Sequence, residues 1–369
     1  MSLKLAYCVN AMVDNTEEIL AAYTEACKPF IEGGGAITAK ECDMHSWRYF
    51  LEVNSACNLE CPTCTKGNKE GYDHKNGLME EELMQQCIDK IKRENPDAIV
   101  FLYGNSEPFL HPRLAHCIRS VKARGLNCQL STNLNFIRNV EEVIAAQPNF
   151  IIISLSGYTQ ETYVKGHAGG HIDKVLANMR VLAAEHHRQG NKFPISVNYH
   201  VYNDNHHEIE LMKEFATNIG IGFFTSKARA ISMENAIQYC RSKDPQATPY
   251  EVQPNRPDWN HVFPVQGINY PEAMKRIEIP PDTAVEMYKK YPVCDVCPVG
   301  AGSIFTFIRH DGKTQLCACV ADRRVILTDY LKTTPIELMK ERTGHAICKQ
   351  CIKYRLNLYF MIADREKWV

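Results

Sequence analysis

Between Trp47 and Ala228, short β-branched and aromatic runs alternate with longer runs in which apolar residues recur every three or four positions. A period of two marks a strand and a period of 3.6 the buried stripe of a helix, so the alternation predicts parallel βα units. The predicted strands are Trp47 to Asn54, Ala98 to Tyr103, Asn127 to Ser131, Phe150 to Leu155, Ser196 to Tyr202 and Gly222 to Thr225. The predicted helices are Glu81 to Glu94, Arg113 to Arg124, Val140 to Ala146, Ile172 to Arg188 and His207 to Ile219. These repeats fall short of the eight that close a full barrel, and in such sheets chemistry gathers at the C-terminal ends of the strands.

Outside this stretch the pattern changes. Residues 1–46 hold one amphipathic helix, Asn15 to Ile31, with Glu17 and Glu18 in its first turn and a stop near Gly33-Gly34-Gly35, which reads as an N-terminal helical cap. In residues 229–293, Pro245, Pro249, Pro254, Pro257, Pro264, Pro271, Pro280 and Pro281 interrupt any long helix. This predicts an ordered connector over the barrel mouth, with a short helix at Asp282 to Tyr291. Its Arg241, Asp258, Trp259, Asn260 and His261 are candidates to touch a substrate, although a packed loop explains them as well. Farther on, alternation in Ser303 to Ile308 and Thr314 to Val320 around His310-Asp311-Gly312 predicts a β-hairpin. Thr334 to Arg342 predicts a helix capped by Thr333 or Thr334.

The 369 residues are 45% hydrophobic, enough for one large core and a smaller one. A formal net charge of −1 gives no electrostatic case for a nucleic-acid partner. No apolar run approaches the length of a membrane span, and Lys4, Asn10 and Asp14 interrupt the first residues too early for a signal peptide. A cytoplasmic protein without membrane association is therefore expected. In that compartment the sixteen cysteines read as metal ligands and spare thiols, not as disulfides. Cys8, Cys27, Cys42, Cys87, Cys117, Cys128 and Cys240 stand in no ligand spacing and read as small buried hydrophobes.

The chemistry is signalled at Cys57-Asn58-Leu59-Glu60-Cys61-Pro62-Thr63-Cys64, three cysteines in C-x3-C-x2-C spacing directly after the first strand. Three thiolates on one loop can hold a four-iron, four-sulfur (4Fe-4S) cube and leave one iron open to an outside molecule. A zinc loop and ordinary buried thiols are competing readings of the spacing. Downstream, Gly104-Asn105-Ser106-Glu107-Pro108 follows the second strand, Ser131-Thr132-Asn133 closes the third and Ser154-Leu155-Ser156-Gly157 ends the fourth. Together these motifs resemble those of the radical S-adenosylmethionine (SAM) superfamily: its cluster loop, its Gly-Gly-Glu-Pro, its Ser-Thr-Asn and its Ser-Leu-Asp-Gly. There are departures. Thr63 stands where many members carry an aromatic residue against the adenine, Asn105-Ser106 replaces the second glycine, and Ser156 replaces the aspartate.

The resemblance covers residues 47–360. It implies an α/β fold, with a partial (β/α)6 TIM-like barrel at 47–228, and a SAM-binding 4Fe-4S cluster on Cys57, Cys61 and Cys64. Gly104, Asn105, Ser106, Glu107, Ser131, Asn133 and Ser154 would then contact SAM. Reduction of the cluster, by a partner such as flavodoxin or ferredoxin, would split SAM into methionine and a 5′-deoxyadenosyl radical. Thr159-Gln160-Glu161-Thr162-Tyr163 and Gly169-Gly170 match members that carry an extra cluster domain. Cys297, Gly312, Cys317 and the pair Cys348-Lys349-Gln350-Cys351 are similar to the short twitch form of the SPASM domain, here a small α+β unit at 294–369. On that likeness Cys297, Cys317, Cys348 and Cys351 hold an auxiliary 4Fe-4S cluster that moves electrons. Cys294 and Cys319 lie within three residues of these positions, so a ligand swap stays open, as does a four-cysteine zinc ribbon. Relatives with this short domain oxidise or rearrange small polar metabolites such as sugars, aminosugars or nucleosides. His200 and Tyr202 are plausible wall residues for such a substrate. Modification of a ribosomally made peptide is the alternative, disfavoured because residues 1–46 are too short for a leader-recognition domain. A non-catalytic iron-sulfur or zinc binding protein is the alternative from another class.

Overall fold

The computed structural model describes residues 48–64, 66, 76–229, 233–246, 274–287, 305–317, 319–320 and 326–361. The expected cap at 1–46, most of the connector, Cys294 and Cys297 lie outside them.

Six parallel strands lie side by side in the order β6-β5-β4-β3-β2-β1: β1 Arg48–Leu51, β2 Ile99–Phe101, β3 Asn127–Thr132, β4 Phe150–Leu155, β5 Ile195–Val201 and β6 Gly222–Lys227. Successive side chains point to opposite faces. In β4, Ile151, Ile153 and Leu155 enter the core while Ile152 and Ser154 take the other face. Helices cover the core face because each carries a matching apolar stripe. In Glu81–Glu94 the stripe is Met84, Cys87, Ile88 and Ile91, and in Ile172–Arg188 it is Ile172, Val175, Met179 and Leu182. Acidic residues at the start of Glu81–Glu94 and basic ones at its end match the helix dipole. Cys87, Cys117 and Cys128 are core residues, as spare thiols should be, and burial pushes Cys87 and Cys117 up to about 12. The architecture is the open parallel barrel that the periodicity and the motifs together imply. No helix among the described residues is long and apolar enough to cross a membrane.

The expected C-terminal hairpin forms, but it does not stand apart from the barrel sheet. Strand β7 (Phe305–Ile308) lies parallel beside β1, followed by antiparallel β8 (Lys313–Gln315) and β9 (Ile326–Asp329), in one nine-stranded sheet. Gly312 makes the β7–β8 turn at φ +78°, a conformation that favours glycine. Thr334 caps helix Pro335–Gly344 in a reciprocal capping box with Glu337. Several elements have no counterpart in the predicted set. Helix Gln160–Gly166 has only two turns, too few to show a period, and starts at a Thr159 cap. Helix Met233–Lys243 ends before the first proline of the connector, so no proline interrupts it. Strand β9 and helices Ala346–Lys353 and Leu356–Met361 are likewise short.

A partly buried tie joins these outer strands to the barrel. Glu94, at the end of Glu81–Glu94, accepts hydrogen bonds from the Tyr49 hydroxyl on β1 (2.9 Å) and from the Tyr330 hydroxyl just after β9 (2.7 Å). Glu94→Ala would leave both hydroxyls without this acceptor. It is expected to cost about 1–3 kcal/mol in denaturant unfolding, whereas Glu94→Gln, which keeps an acceptor oxygen, should cost less. Equal losses for the two variants would mean that the tie does not act through these hydrogen bonds.

Candidate functional site

The three-cysteine loop leaves the C-terminal end of β1 and is clasped from two sides. Asn54 turns the chain: its Oδ1 accepts from Ala56 N (2.9 Å), and its Nδ2 donates to the Glu107 carbonyl (2.9 Å). Glu107 N donates in return to the Ala56 carbonyl (2.9 Å), and Glu60 N donates to the Ala168 carbonyl (2.9 Å) beyond helix Gln160–Gly166. The Glu107 side chain is buried beneath. It accepts from Thr132 Oγ1 (2.7 Å), Phe109 N (3.0 Å) and Asn133 N (2.8 Å). Burial pushes this carboxyl up to about 7 against the opposing pull of the three donors. Asn133, at the end of β3, aims its Nδ2 at Asn58 Oδ1 (3.0 Å) and at Cys57 Sγ (3.8 Å).

Burial pushes the Cys57 thiol up to about 12 and raises Cys61 well above its ordinary value, and the neighbouring thiols of the loop add to both. Thiols placed like this stay protonated until a cation takes the proton's place. Soft sulfur donors on a short loop, one with an amide N–H turned toward it, are a fitting donor set for an iron-sulfur cluster. Among the described residues no three His, Cys, Asp or Glu side chains converge as they would on a single metal ion.

Strand register sets what lines the inner face of the sheet. Phe50, Phe101 and Gln129 are in-register neighbours on β1 to β3, and Phe307 on β7 flanks Phe50. The rings stack, with centroids 4.9 Å apart for Phe50–Phe101 and 6.0 Å for Phe50–Phe307. Closer to the strand C-termini the layers become polar. Ser131 and Ser154 meet at 3.0 Å; Ser226 Oγ donates to Asn198 Oδ1 (2.7 Å); Asn198 Nδ2 meets His200 Nε2 (3.3 Å). The His200 ring stacks on His167, which stacks on Tyr163 and meets Ser156 Oγ through Nδ1 at 2.7 Å. Burial pushes His167 down to about 3 and His200 down to about 4, so both rings are neutral at ordinary pH. An aromatic floor therefore lies under polar layers that rise toward the cysteine loop.

The site residues expected from the sequence divide accordingly. Cys57, Glu107 and Asn133 come together at the loop, while Ser131 and Ser154 pair on the inner face. Gly104 receives the Phe307 ring, because a Cβ there would lie 2.3 Å from Phe307 Cζ. Its N–H points to Ser106 Oγ at 3.4 Å, and Asn105 is half-buried beside it. His200 faces the polar layers. Tyr202 instead reaches the loop, its hydroxyl 3.2 Å from Thr63 Oγ1, with the Arg276 guanidinium 4.4 Å over its ring. A hydroxyl at position 63 thus has a partner that an aromatic ring would not. Arg241 bonds Gln350 on helix Ala346–Lys353 and reads as packing, whereas Asp258, Trp259, Asn260 and His261 lie outside the described residues. Asn58, His167, Asn198 and Ser226 were not expected. Polar residues on alternate positions of otherwise apolar β5, namely Ser196, Asn198 and His200, are the signal that points to this face. In the C-terminal segment the Cys317 and Cys319 thiols are within hydrogen-bonding reach of each other, with Cys351 near Cys319, and Cys348 one turn before Cys351 on the same helix.

No family model matches the chain. A protein of Pyrococcus furiosus described as a tungsten-containing aldehyde ferredoxin oxidoreductase cofactor-modifying protein is 25% identical over 180 residues, 47% of this chain and 48% of that protein. The chain thus spans about half the length of the curated relative it matches. The structure of Streptococcus suis SuiB bound to the precursor peptide SuiA is similar with a TM-score of 0.52 and 11% identity, covering 93% of this chain and 74% of that one. SuiB bound to S-adenosylmethionine gives a TM-score of 0.46 and 13% identity, over 83% and 66% of the two chains. The likeness to the peptide-bound SuiB structure, with a TM-score of 0.52, bears out the expected architecture at the level of fold.

The close approach at Gly104 can be tested by itself. Gly104→Ala is expected to destabilise the protein by about 1–3 kcal/mol through overpacking against Phe307. Most of that penalty should vanish in a Phe307→Ala background, read as a double-mutant cycle of denaturant unfolding. An unchanged penalty would place the strain elsewhere.

Proposed function

We propose that this chain is a radical SAM enzyme acting on a small polar substrate of sugar, aminosugar or nucleoside type. The observation that carries the reading is the loop itself: Cys57, Cys61 and Cys64 at the mouth of a parallel barrel, clasped by Glu107 and faced by the Asn133 amide. Cys57, Cys61 and Cys64 would hold a 4Fe-4S cluster, which when bound supplies the electron that splits SAM. Ser131, Asn133 and Ser154 present hydroxyl and amide groups where SAM would lie, beside the half-buried turn Gly104 to Ser106. Glu107 braces these groups from below, since both its oxygens already accept from protein donors. The stacked rings of Phe307, Phe50 and Phe101 close the floor to water, which a primary-carbon radical requires. Above them Asn198, Ser226 and neutral His200 offer donors and acceptors suited to hydroxyls and amides. The description of the Pyrococcus furiosus relative as a cofactor-modifying protein agrees with a small-molecule substrate. The C-terminal thiols would hold a second cluster that exchanges electrons with the substrate, and flavodoxin or ferredoxin would reduce the first.

Anaerobically reconstituted protein with dithionite is expected to convert SAM to 5′-deoxyadenosine, and Cys61→Ala to fall to the level of a protein-free control. Cleavage by that variant at the wild-type rate would overturn the assignment. Deuterated candidate substrates identify the substrate class, because the correct one passes deuterium into 5′-deoxyadenosine. Asn198→Ala or His200→Ala should then reduce deuterium transfer at least about tenfold, roughly 1.4 kcal/mol of lost orientation, while SAM cleavage without substrate continues. Unchanged transfer in both variants would move the substrate off this face.

A further inference from the structure

The likeness of the C-terminal segment to known cluster domains points to Cys297 as the partner of Cys317. The geometry around Cys317 points to a different residue. The chain from Gln315 to Val320 folds back on itself: Val320 N donates to the Cys317 carbonyl (3.1 Å), and the Gln315 side chain bonds the Val320 carbonyl. This knuckle sets the thiols of Cys317 and Cys319 against each other. Helix Ala346–Lys353 presents Cys348 and Cys351 one turn apart, hence on one face, and Cys351 lies near Cys319. The knuckle is anchored to two helices that each pack against Ala346–Lys353. Buried Arg342, in helix Pro335–Gly344, donates through Nε to the Leu316 carbonyl (2.9 Å), and Met233 N donates to the Cys319 carbonyl (2.7 Å).

We infer that Cys319 is a ligand of the C-terminal metal centre, in a set formed with Cys317, Cys348 and Cys351. The inference rests on the proposed iron-sulfur reading for the kind of metal and on the knuckle for the ligand. Cys317 and Cys319 are half-buried, unlike the core thiols Cys87, Cys117 and Cys128. Four thiolates around a cube leave a net negative charge, and the surroundings answer it. Arg342 lies near Cys317 and Arg229 near Cys319, with buried Glu234 the opposing charge. A cube carries each thiolate on a different iron and so holds its ligands further apart than a single ion does.

The test uses the full chain, reconstituted anaerobically with iron and sulfide. Wild type should hold about eight irons per chain, and Cys319→Ala about four, with its SAM cleavage in the absence of substrate retained. In a Cys57/Cys61/Cys64→Ala background, Cys319→Ala should reduce iron from about four to near none. A folded Cys319→Ala protein, judged by circular dichroism, that keeps its second cluster with an unchanged electron paramagnetic resonance signal would overturn the inference. Should Cys319→Ala not fold, Cys319→Ser decides. A lost cluster or shifted g-values support ligation, because oxygen has replaced sulfur at an iron, and unchanged g-values refute it. Stoichiometric zinc that Cys319→Ala loses would uphold Cys319 as a ligand and remove the second cluster from the proposed function. Failure of the wild type to cleave SAM would count against the Cys57 loop alone.

Discussion

The buried side chain and backbone of Glu107 hold the mouth of the barrel together. Its peptide group exchanges hydrogen bonds with the loop after β1, through the Ala56 carbonyl and the Asn54 amide. Its carboxyl takes Thr132 and Asn133 from the end of β3. One residue therefore fixes the ends of three neighbouring strands relative to one another, and the cysteine loop starts from that junction. A carboxyl so deeply buried is tolerated only because donors surround it. The arrangement also explains how Asn133 can aim at Cys57: its backbone is held by Glu107, and its side chain is oriented toward the loop by Asn135 N, which donates to Oδ1 (2.9 Å), and by Asn58.

Parallel register converts that junction into a graded interior. Because strands β1 to β6 run the same way with side chains on a period of two, one layer recurs across the sheet before the next begins. The lowest layer is aromatic where β7, β1 and β2 meet, and the upper layers are polar where β3 to β6 end. Gly104 belongs to the same logic. It lies beside the mouth, yet the space of its missing side chain is filled by Phe307 from the outer strand, so that a site residue and a sheet-packing residue are one constraint.

How much of this was legible in the sequence depends on whether the feature is local or lateral. Phe150–Leu155 and Glu81–Glu94 form within their expected bounds, since burial on one face writes a period directly into the chain. The cysteine loop and the motifs at successive strand ends are local too, and they land where strand ends gather. The pairing of β7 with β1 is lateral: Phe50 and Phe307 are far apart in sequence, and no period in either segment names the other. The same holds for the stack of Tyr163, His167 and His200, drawn from a helix, a loop and a strand. His200 alone was readable, as a polar residue on an alternating strand. Short helices such as Gln160–Gly166 escape because two turns are specified by a cap and by tertiary contact more than by a stripe.

The same distinction bears on the C-terminal thiols. The likeness to the twitch domain pairs Cys297 with Cys317, while spacing alone leaves Cys294 and Cys319 open as substitutes. Folding, however, places Cys319 beside Cys317 and within reach of Cys351, with the start of Met233–Lys243 bonded to its carbonyl. Arg229 then becomes informative, because it lies close enough to act on both Cys319 and His200. One guanidinium borders both the polar interior of the barrel and the thiol knuckle. A metal centre on those thiols would therefore stand next to the β5–β6 side of the lumen, where Asn198, His200 and Ser226 converge.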